Sequence, residues 1–210
     1  GNCSFANTAA GDMAMRCDRW VGFEGVDASA SLTVSSTDAV TIYCENGIDF
    51  SNLKLNVNAA LADPEAWAAA FMGDGGSACV CSFNNAAVNV TAGGDVFAVA
   101  FGSVEMNNTV FAATCAGSLG GADDFLIVNN TVLTVQSTGM YVGGDMTVRG
   151  ASAVDFVSTD STSPAIVIGG SLCFEDFTGS FEVGFTDPAA SVPAVRAGTD
   201  ITFRVGGADA

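Results

Sequence analysis

The chain has 210 residues, of which 49% are apolar and 14% are charged, which permits a sizeable core and excludes a disordered protein. Its 23 acidic and 6 basic residues give a net charge of −17, which opposes binding to nucleic acid and to anionic lipid. The longest apolar runs are far shorter than the ~20 residues of a membrane-spanning helix. We therefore expect no membrane insertion, and partners that are neutral glycans, cations, basic proteins or further copies of the chain.

The first 35 residues lack the regular alternation of the rest and contain Cys3, Cys17 and Trp20. A stack of β-strands needs a cover on its first layer, because an open end exposes apolar side chains and unpaired backbone. We predict that residues 1–35 form this N-terminal cap and that a Cys3–Cys17 disulfide could close it. A repetitive domain at 36–205 and a short tail at 206–210 follow.

Residues 61–73, LADPEAWAAAFMG, have the features of a short helix. Asp63 can cap its start, Pro64 suits the first helical position, and Gly73 can end it. We predict one short helix here, packed on the flank of the repetitive domain.

A Gly-Gly turn starts at residues 93, 143 and 169, with a Gly-Thr variant at 198. The spacings are 50, 26 and 29 residues, and the first is close to twice the others. We assign the intervening copy to residues 121–136, with Asn129-Asn130 in place of Gly-Gly. A period of about 20–30 residues predicts a solenoid, in which Gly would permit a positive φ and the following Asp would hydrogen-bond the turn.

Segments between the turns alternate apolar and polar residues, as β-strands with one buried face do. With about three strands in each repeat, the sequence predicts an all-β fold, a parallel β-helix (β-solenoid) of about six to seven coils. An antiparallel β-sandwich also has short strands at regular spacing and is the alternative. The clearest alternating sets are Leu53, Leu55 and Val57; Phe181, Val183 and Phe185; and Ile201, Phe203 and Val205.

Residues for the familiar catalytic arrangements are mostly missing. The chain has no His, which excludes Ser-His-Asp and Cys-His sites, and its one Lys, Lys54, is predicted on the outward side of a strand. The acidic pairs Asp123-Asp124 and Glu175-Asp176 are adjacent, so on a strand the members of each pair point to opposite faces. We expect no enzyme, and cleavage of a polysaccharide by paired acids is the minority alternative.

Four acidic residues occupy similar places in the repeats. Asp95 and Asp145 follow Gly-Gly, and Asp124 and Asp200 lie near that place in their own repeats. Stacked coils would hold these carboxylates ~4.8 Å apart, where they repel one another unless a cation such as Ca²⁺ bridges them. The alternative, which we favour, is that each Asp caps its own turn. No other cofactor is expected.

Seven Cys occur without a CxxC pair and without His, which disfavours a zinc site and favours disulfides in an oxidising compartment. Cys79 and Cys81 share one face of a strand and could pair with Cys44 and Cys115 in neighbouring coils. The sequence leaves this connectivity open, and the odd count leaves at least one thiol free or intermolecular.

Sequons of the form N-x-S/T are candidate glycosylation sites on outward turns of a secreted protein. The candidates are Asn2, Asn89, Asn107 and Asn129. Trp67 and Tyr141 are the candidates for stacking on a sugar, because Phe at inward positions belongs to the core.

The segments AIVIGGSLCFEDF at 165–177 and AVRAGTDITFRV at 194–205 carry a repeating cadence. Over residues 36–205 this cadence resembles secreted right-handed parallel β-helix proteins, which include the pectate-lyase-like superfamily, bacterial surface adhesins and β-helical carbohydrate-binding domains. The resemblance implies right-handed coils. Enzymes of that group use an Arg base with Ca²⁺-binding acids, or several Asp with a His. Arg149 and Arg204 follow the repeated turn here, but the sequence shows no acidic cluster around them.

These features predict a non-enzymatic structural or adhesive protein, extracellular or on the cell surface, that associates with itself. The chain stops directly after a strand, so we expect its last coil to meet the first coil of another copy and build a filament or a surface layer. The alternative is a carbohydrate-binding β-helix with Ca²⁺ in its turns.

Overall fold

The computed structural model describes residues 1–27, 29–63, 65–74, 76, 78–98 and 101–205. Within these residues the fold is all-β, with 23 strands and no helix, and therefore no apolar helix that could cross a membrane. Three sheets contain the strands, and the pairing within them is parallel. This arrangement excludes the antiparallel sandwich and is compatible with a parallel β-helix. One passage of the chain through the sheets is called a coil below.

The first sheet has eight strands in chain order, and each pairs with the next. They are β1 (Asn2–Ala6), β4 (Ser31–Thr37), β7 (Lys54–Ala60), β10 (Ala87–Ala92), β13 (Val110–Cys115), β15 (Val132–Ser137), β18 (Ala153–Ser158) and β21 (Ser180–Phe185). The predicted alternation is confirmed at β7, where Leu55 and Val57 are buried and Lys54 is exposed.

The second sheet contains the strands β2 (Met15–Cys17), β5 (Val40–Cys44), β8 (Ala69–Gly73) and β11 (Asp95–Ala98). The third sheet starts with β3 (Val21–Glu24), β6 (Gly47–Ser51), β9 (Val80–Asn84), β12 (Phe101–Asn107) and β14 (Ala122–Val128). It continues as two rows, one of β16 (Met140–Val142), β19 (Ile166–Ile168) and β22 (Val195–Ala197), the other of β17 (Met146–Arg149), β20 (Leu172–Glu175) and β23 (Ile201–Arg204).

Apolar side chains fill the space between the sheets in rows that run from coil to coil. Their rings stack on one another, as in Phe50 and Phe83, whose centroids are 5.5 Å apart with planes 13° apart. Stacked rings of this kind contribute ~1 kcal/mol beyond the area they bury. The inner row of the third sheet consists of Phe23, Phe50, Phe83, Met106, Ile127, Val148, Phe174 and Phe203.

Close contact between coils, rather than positive φ, explains the Gly-Gly turns. A Cβ at Gly169 would overlap the carbonyl oxygen of Gly143, and a Cβ at Gly198 would overlap that of Gly169. The glycines of these turns do not have a positive φ, so the predicted reason for them is wrong. A side chain at these positions would push stacked turns apart.

The repeated turn occupies two different corners of the fold. Gly93-Gly94 joins β10 to β11, and Gly117 N donates to Gly94 O at 2.9 Å. The turns that start at 143, 169 and 198 instead join strands of the third sheet and stack on one another. In the intervening copy Asp123, within β14, lies beneath Gly143, whereas Asn129-Asn130, the predicted turn of this copy, lies at a different corner.

A second repeated turn, which sequence reasoning missed, joins the third sheet to the first. One residue in each of these turns has a left-handed backbone, which Asn, Asp and Gly tolerate best. The side chains also pair between coils, because Asn108 Nδ2 donates to Asn85 Oδ1 at 2.6 Å. The members of this left-handed corner are Asn52 (φ 55°), Asn85 (φ 49°), Asn108 (φ 48°), Asn129 (φ 60°), Gly150 (φ 68°) and Asp176 (φ 47°).

The predicted helix at residues 61–73 is wrong. Strand β8 occupies residues 69–73 and pairs with β5 on one side and β11 on the other. Pro64 lies outside the described residues, and Asp63 Oδ1 accepts a hydrogen bond from Glu65 N at 2.9 Å within a turn. Helix propensities differ by less than ~1 kcal/mol per residue, so pairing and burial between two coils outweigh them.

Residues 1–35, predicted as a cap, contribute β1, β2 and β3, which are the outermost strands at one end of the three sheets. All five residues of β1 are exposed. The covering role of this segment and the domain boundary at 205 stay predictions, and the tail at 206–210 lies outside the described residues.

Candidate functional site

Within the described residues, the first and third sheets each have an edge strand without a partner at both ends of the coil stack. Strands β1, β2 and β3 form the first-strand end, and β21, β22 and β23 form the last-strand end. Large apolar side chains are exposed at these ends, with 45% of Phe5 and 73% of Phe203 accessible to solvent. Unpaired backbone next to exposed apolar side chains is a template for strand pairing.

The inner row of the third sheet starts and finishes with Phe. Phe23 stacks on Phe50 with the centroids 5.5 Å apart, and Phe203 stacks on Phe174 with the centroids 4.7 Å apart. The planes differ by 13° in the first pair and 10° in the second. Both terminal rings therefore lie nearly parallel to the ring of the adjacent coil.

A row of charged side chains runs beside the inner row at the last-strand end. Arg149 Nε donates to Glu175 Oε2 at 3.0 Å, and Arg204 Nη1 donates to Glu175 Oε1 at 3.2 Å. The guanidinium of Arg149, and then that of Arg204, hold the pKa of Glu175 below its usual range. Arg204 finishes this row and is exposed, whereas exposed Glu24 holds the equivalent place, next to Phe23, at the first-strand end.

The ion pairs with Glu175 also concern the two arginines that the resemblance to parallel β-helix enzymes brings to attention. Arg149 and Arg204 both bind Glu175, so each guanidinium belongs to an ion-pair ladder rather than facing a group of acids. Asp123 and Asp124 are both exposed at the start of β14.

Three of the four predicted calcium ligands brace the turn of a neighbouring coil. Asp95 Oδ1 accepts from Ser118 N at 2.7 Å, and Asp145 Oδ1 accepts from Ser171 N at 2.7 Å. Asp124 Oδ1 accepts from Asp145 N at 2.8 Å. Each of these three carboxylates thus caps the backbone of an adjacent coil, and not its own turn as expected.

Strand register places Asp124 and Asp145 on adjacent coils and keeps the other two acids away from them. Asp124, Asp145 and Asp200 precede paired residues of the third sheet, with Ser171 between the last two, whereas Asp95 lies at the other corner. No group of three His, Cys, Asp or Glu residues arranged to hold a metal ion occurs in the part of the chain that the structure describes. Calcium binding stays a prediction.

The thiols fall into one group and three separate positions. Cys44 Sγ lies 3.9 Å from Cys79 Sγ, and both side chains are buried. Cys17 is the register partner of Cys44, and Cys81 is buried nearby. The three others are Cys3 in β1, Cys115 at the end of β13 and Cys173 in β20. All seven are free thiols in the structure, with Cys3 on the first sheet and Cys17 on the second.

Burial makes the grouped thiols hard to ionise. It raises the pKa of Cys44, and the neighbouring Cys79 raises it further. Burial likewise raises the pKa of Cys81 and of Cys79. The pKa of Cys115 rises to about 12, first because of burial and then because of the charge of Asp95.

The predicted glycosylation sites differ in exposure. Asn2, Asn89 and Asn129 are exposed, whereas Asn107 is half-buried and its Nδ2 donates to Asn84 Oδ1 at 3.3 Å. Asn129 Nδ2 in turn donates to Asn107 Oδ1. Occupancy of these sites stays a prediction.

The outward face of the first sheet contains a shallow groove of 440 Å³. Its lining combines uncharged polar residues with an equal number of Val and Ala residues, and Asp155 supplies one charge. Trp67 and Tyr141 are both exposed, as a sugar platform requires, but neither lines this groove. Polar lining residues include Asn89, Thr91, Thr114, Thr134 and Gln136.

No protein-family model, curated protein or solved structure matches the chain. The functional argument therefore depends on the ends, the thiols and the outward face of this fold.

Proposed function

We propose that the chain is a non-enzymatic structural protein of the cell exterior that associates with itself head to tail. Its three sheets would be the faces of a right-handed parallel β-helix, with one coil for each of the eight strands of the first sheet. Connections between parallel strands of one sheet are right-handed in nearly all proteins, which supports this hand. The seven Cys support an oxidising, extracellular location.

The observation that carries the proposal is the match between the two ends of the third sheet. If the first-strand end of a second copy continued the stack, β3 of that copy would lie beside β23. The aromatic rings of Phe23 and Phe203 would then stack across the joint, and the acidic Glu24 would lie opposite the basic Arg204. The facing pairs would be Val21 with Ile201, Gly22 with Thr202, Phe23 with Phe203, and Glu24 with Arg204.

The row of charged side chains favours one register of the two ends. Arg149, Glu175 and Arg204 already alternate in sign, and Glu24 of a second copy would continue the alternation. Opposite charges directly across strands favour the pairing, and a shifted register would lose them.

The first sheet supports the same joint. Its rows would place β1 of the second copy beside β21, so that Phe5 would face Val183. A contact between two different ends is heterologous and does not close on itself, so it produces a filament.

Sedimentation velocity at about 0.15 M salt tests the proposal. The wild-type chain is expected to sediment as polymers, and E24R as monomers, because two Arg would then face each other. The variant E24R/R204E is expected to recover part of the polymers, because opposite charges again face each other across the joint, while the acid at position 204 now lies beside Glu175 of its own copy. D155R, a matched reversal of an exposed acid on the lateral face, should leave polymers intact. A monomeric wild type, or equal loss in D155R and E24R, would refute the proposal.

A second candidate function is binding of a neutral glycan in the groove of the first sheet, with Ca²⁺ in the turns. The Asn, Thr and Gln side chains that β10, β13 and β15 present to the groove favour this function. A monomeric chain that binds on a glycan array, with weaker binding in EDTA, would support this function instead.

A further inference from the structure

The buried pair Cys44 and Cys79 is placed by the coil architecture. Cys44 ends β5, and the residue beside it on β8 is Gly73, which ends that strand. The chain then turns back, and Val80 pairs with Gly47 at the start of β9. This return brings Cys79 over the end of β5, with 3.9 Å between the sulfur atoms. Cys79 Sγ also donates to the Cys44 carbonyl oxygen at 3.6 Å.

Competing partners for Cys44 are placed less well. Cys17 is its register partner on a parallel strand, where side chains stand ~4.8 Å apart, whereas disulfides need ~3.8 Å between their Cβ atoms. Burial, and then the nearby Cys44 and Cys79, raise the pKa of Cys81, but it is the sulfur of Cys79 that touches that of Cys44. Sequence reasoning left Cys79 and Cys81 as equal candidates, and the geometry separates them.

We propose that Cys44 and Cys79 form an intramolecular disulfide when the chain folds in an oxidising compartment. The co-reactant is a small or protein disulfide. One cysteine thiolate attacks a sulfur of that disulfide, forms a mixed disulfide and expels one thiol. The second cysteine then attacks the mixed disulfide and expels the other thiol. In total the protein loses two protons and two electrons, and the co-reactant gains them as two thiols.

The order of events follows from burial. In the folded, reduced chain both thiols are out of contact with solvent and poorly ionised, so neither attacks an external disulfide readily. The bond therefore forms while the return between β8 and β9 is still open. Once the coils have closed over it, the same burial protects the disulfide from external thiols. The bond would tie two residues that are 35 positions apart, on two adjacent coils.

Peptide mapping of the full chain tests the proposal. The chain is refolded with oxidised and reduced glutathione, alkylated under denaturing conditions and digested without reduction. The expected product is a peptide pair linked through Cys44 and Cys79 that separates on reduction. A link between Cys17 and Cys44, a link from Cys81, or recovery of both Cys44 and Cys79 as alkylated peptides from the refolded chain would overturn the proposal.

Two variants provide a second measurement. In C79A the Cys44 thiol is expected to be alkylated, and the melting temperature is expected not to change when a reductant is added. C81A, which removes the neighbouring thiol, is expected to keep the cross-link and a melting temperature that drops by several degrees on reduction. Because the wild-type map needs no substitution, a variant that fails to fold leaves the test intact. The result is independent of self-association, since monomers and polymers give the same map.

Discussion

Phe203 stacks on Phe174 with the ring centroids 4.7 Å apart, while 73% of Phe203 remains accessible to solvent. An aromatic side chain that is ordered on one side and open on the other can receive a further ring at little entropic cost. This relationship makes the last-strand end a defined surface, and its counterpart Phe23 lies at the opposite end of the same inner row.

F203D is expected to weaken self-association by at least about tenfold. It removes about 1.5–3 kcal/mol of apolar burial from each joint and adds an acid next to Glu24 of the next copy. The matched control is V110D, because Val110 is 53% exposed but lies on the lateral face of β13. Sedimentation velocity over a concentration series measures both, with circular dichroism as the check on folding. Equal effects of F203D and V110D would contradict an end-to-end joint.

G169A is expected to lower the free energy of unfolding by about 2–3 kcal/mol, because its Cβ would overlap the backbone of Gly143 and force two coils apart. G184A is the control, since a Cβ at Gly184 meets no atom within 4 Å. Urea unfolding followed by circular dichroism gives both values. If the two substitutions cost the same, the stacking explanation of the Gly-Gly turns fails.

N108A is expected to cost about 1–2 kcal/mol of stability, because Ala does not tolerate the left-handed φ of 48° and cannot donate to Asn85. N108G keeps the backbone freedom and loses the hydrogen bond alone, so its cost should be smaller. Urea unfolding of both variants separates the two contributions. A larger cost for Gly than for Ala would show that the backbone conformation is not what selects Asn here.

The sequence was sufficient to predict a parallel all-β stack. Apolar and polar residues alternate along the strands, and the sequence repeats at intervals of about one coil. It misassigned residues 69–73, where Ala and Met favour a helix in isolation but the pairing of β8 with β5 and β11 decides the outcome. It also missed the left-handed corner. The signal was present, as an apolar residue two positions before Asn52, Asn85 and Asn108, but the Gly-Gly turn is easier to see.

The candidate sites were less predictable than the fold, because they depend on which coil lies beside which. Cys79 and Cys81 are equivalent in sequence, and the return from β8 to β9 alone brings Cys79 to Cys44. The acids after Gly-Gly look equivalent too, yet Asp95 and Asp145 lie at different corners. The proposed facing of Glu24 and Arg204 depends on the register of the eight strands that lead from β3 to β23.

Above pH ~8.5 the reduced protein is expected to lose stability. A thiol of the unfolded chain ionises near that pH, whereas the pKa of folded Cys115 is about 12, so the unfolded state loses its proton first. The contribution of this thiol to the free energy of unfolding is fully present below pH ~8.5. Above that pH it falls by ~1.4 kcal/mol per pH unit, up to about pH 12. C115A should show a shallower decline when unfolding is measured from about pH 8.5 to 10.5. Identical slopes would contradict the burial of this thiol.

Negative-stain electron microscopy of the natively purified chain tests the central claim most directly. The account predicts unbranched fibres whose axial repeat is one subunit, which for eight strands of the first sheet at ~4.8 Å spacing is about 38 Å. Isolated short rods of that length would contradict the account, if F203D gives the same image as the wild-type chain at the same protein concentration and salt.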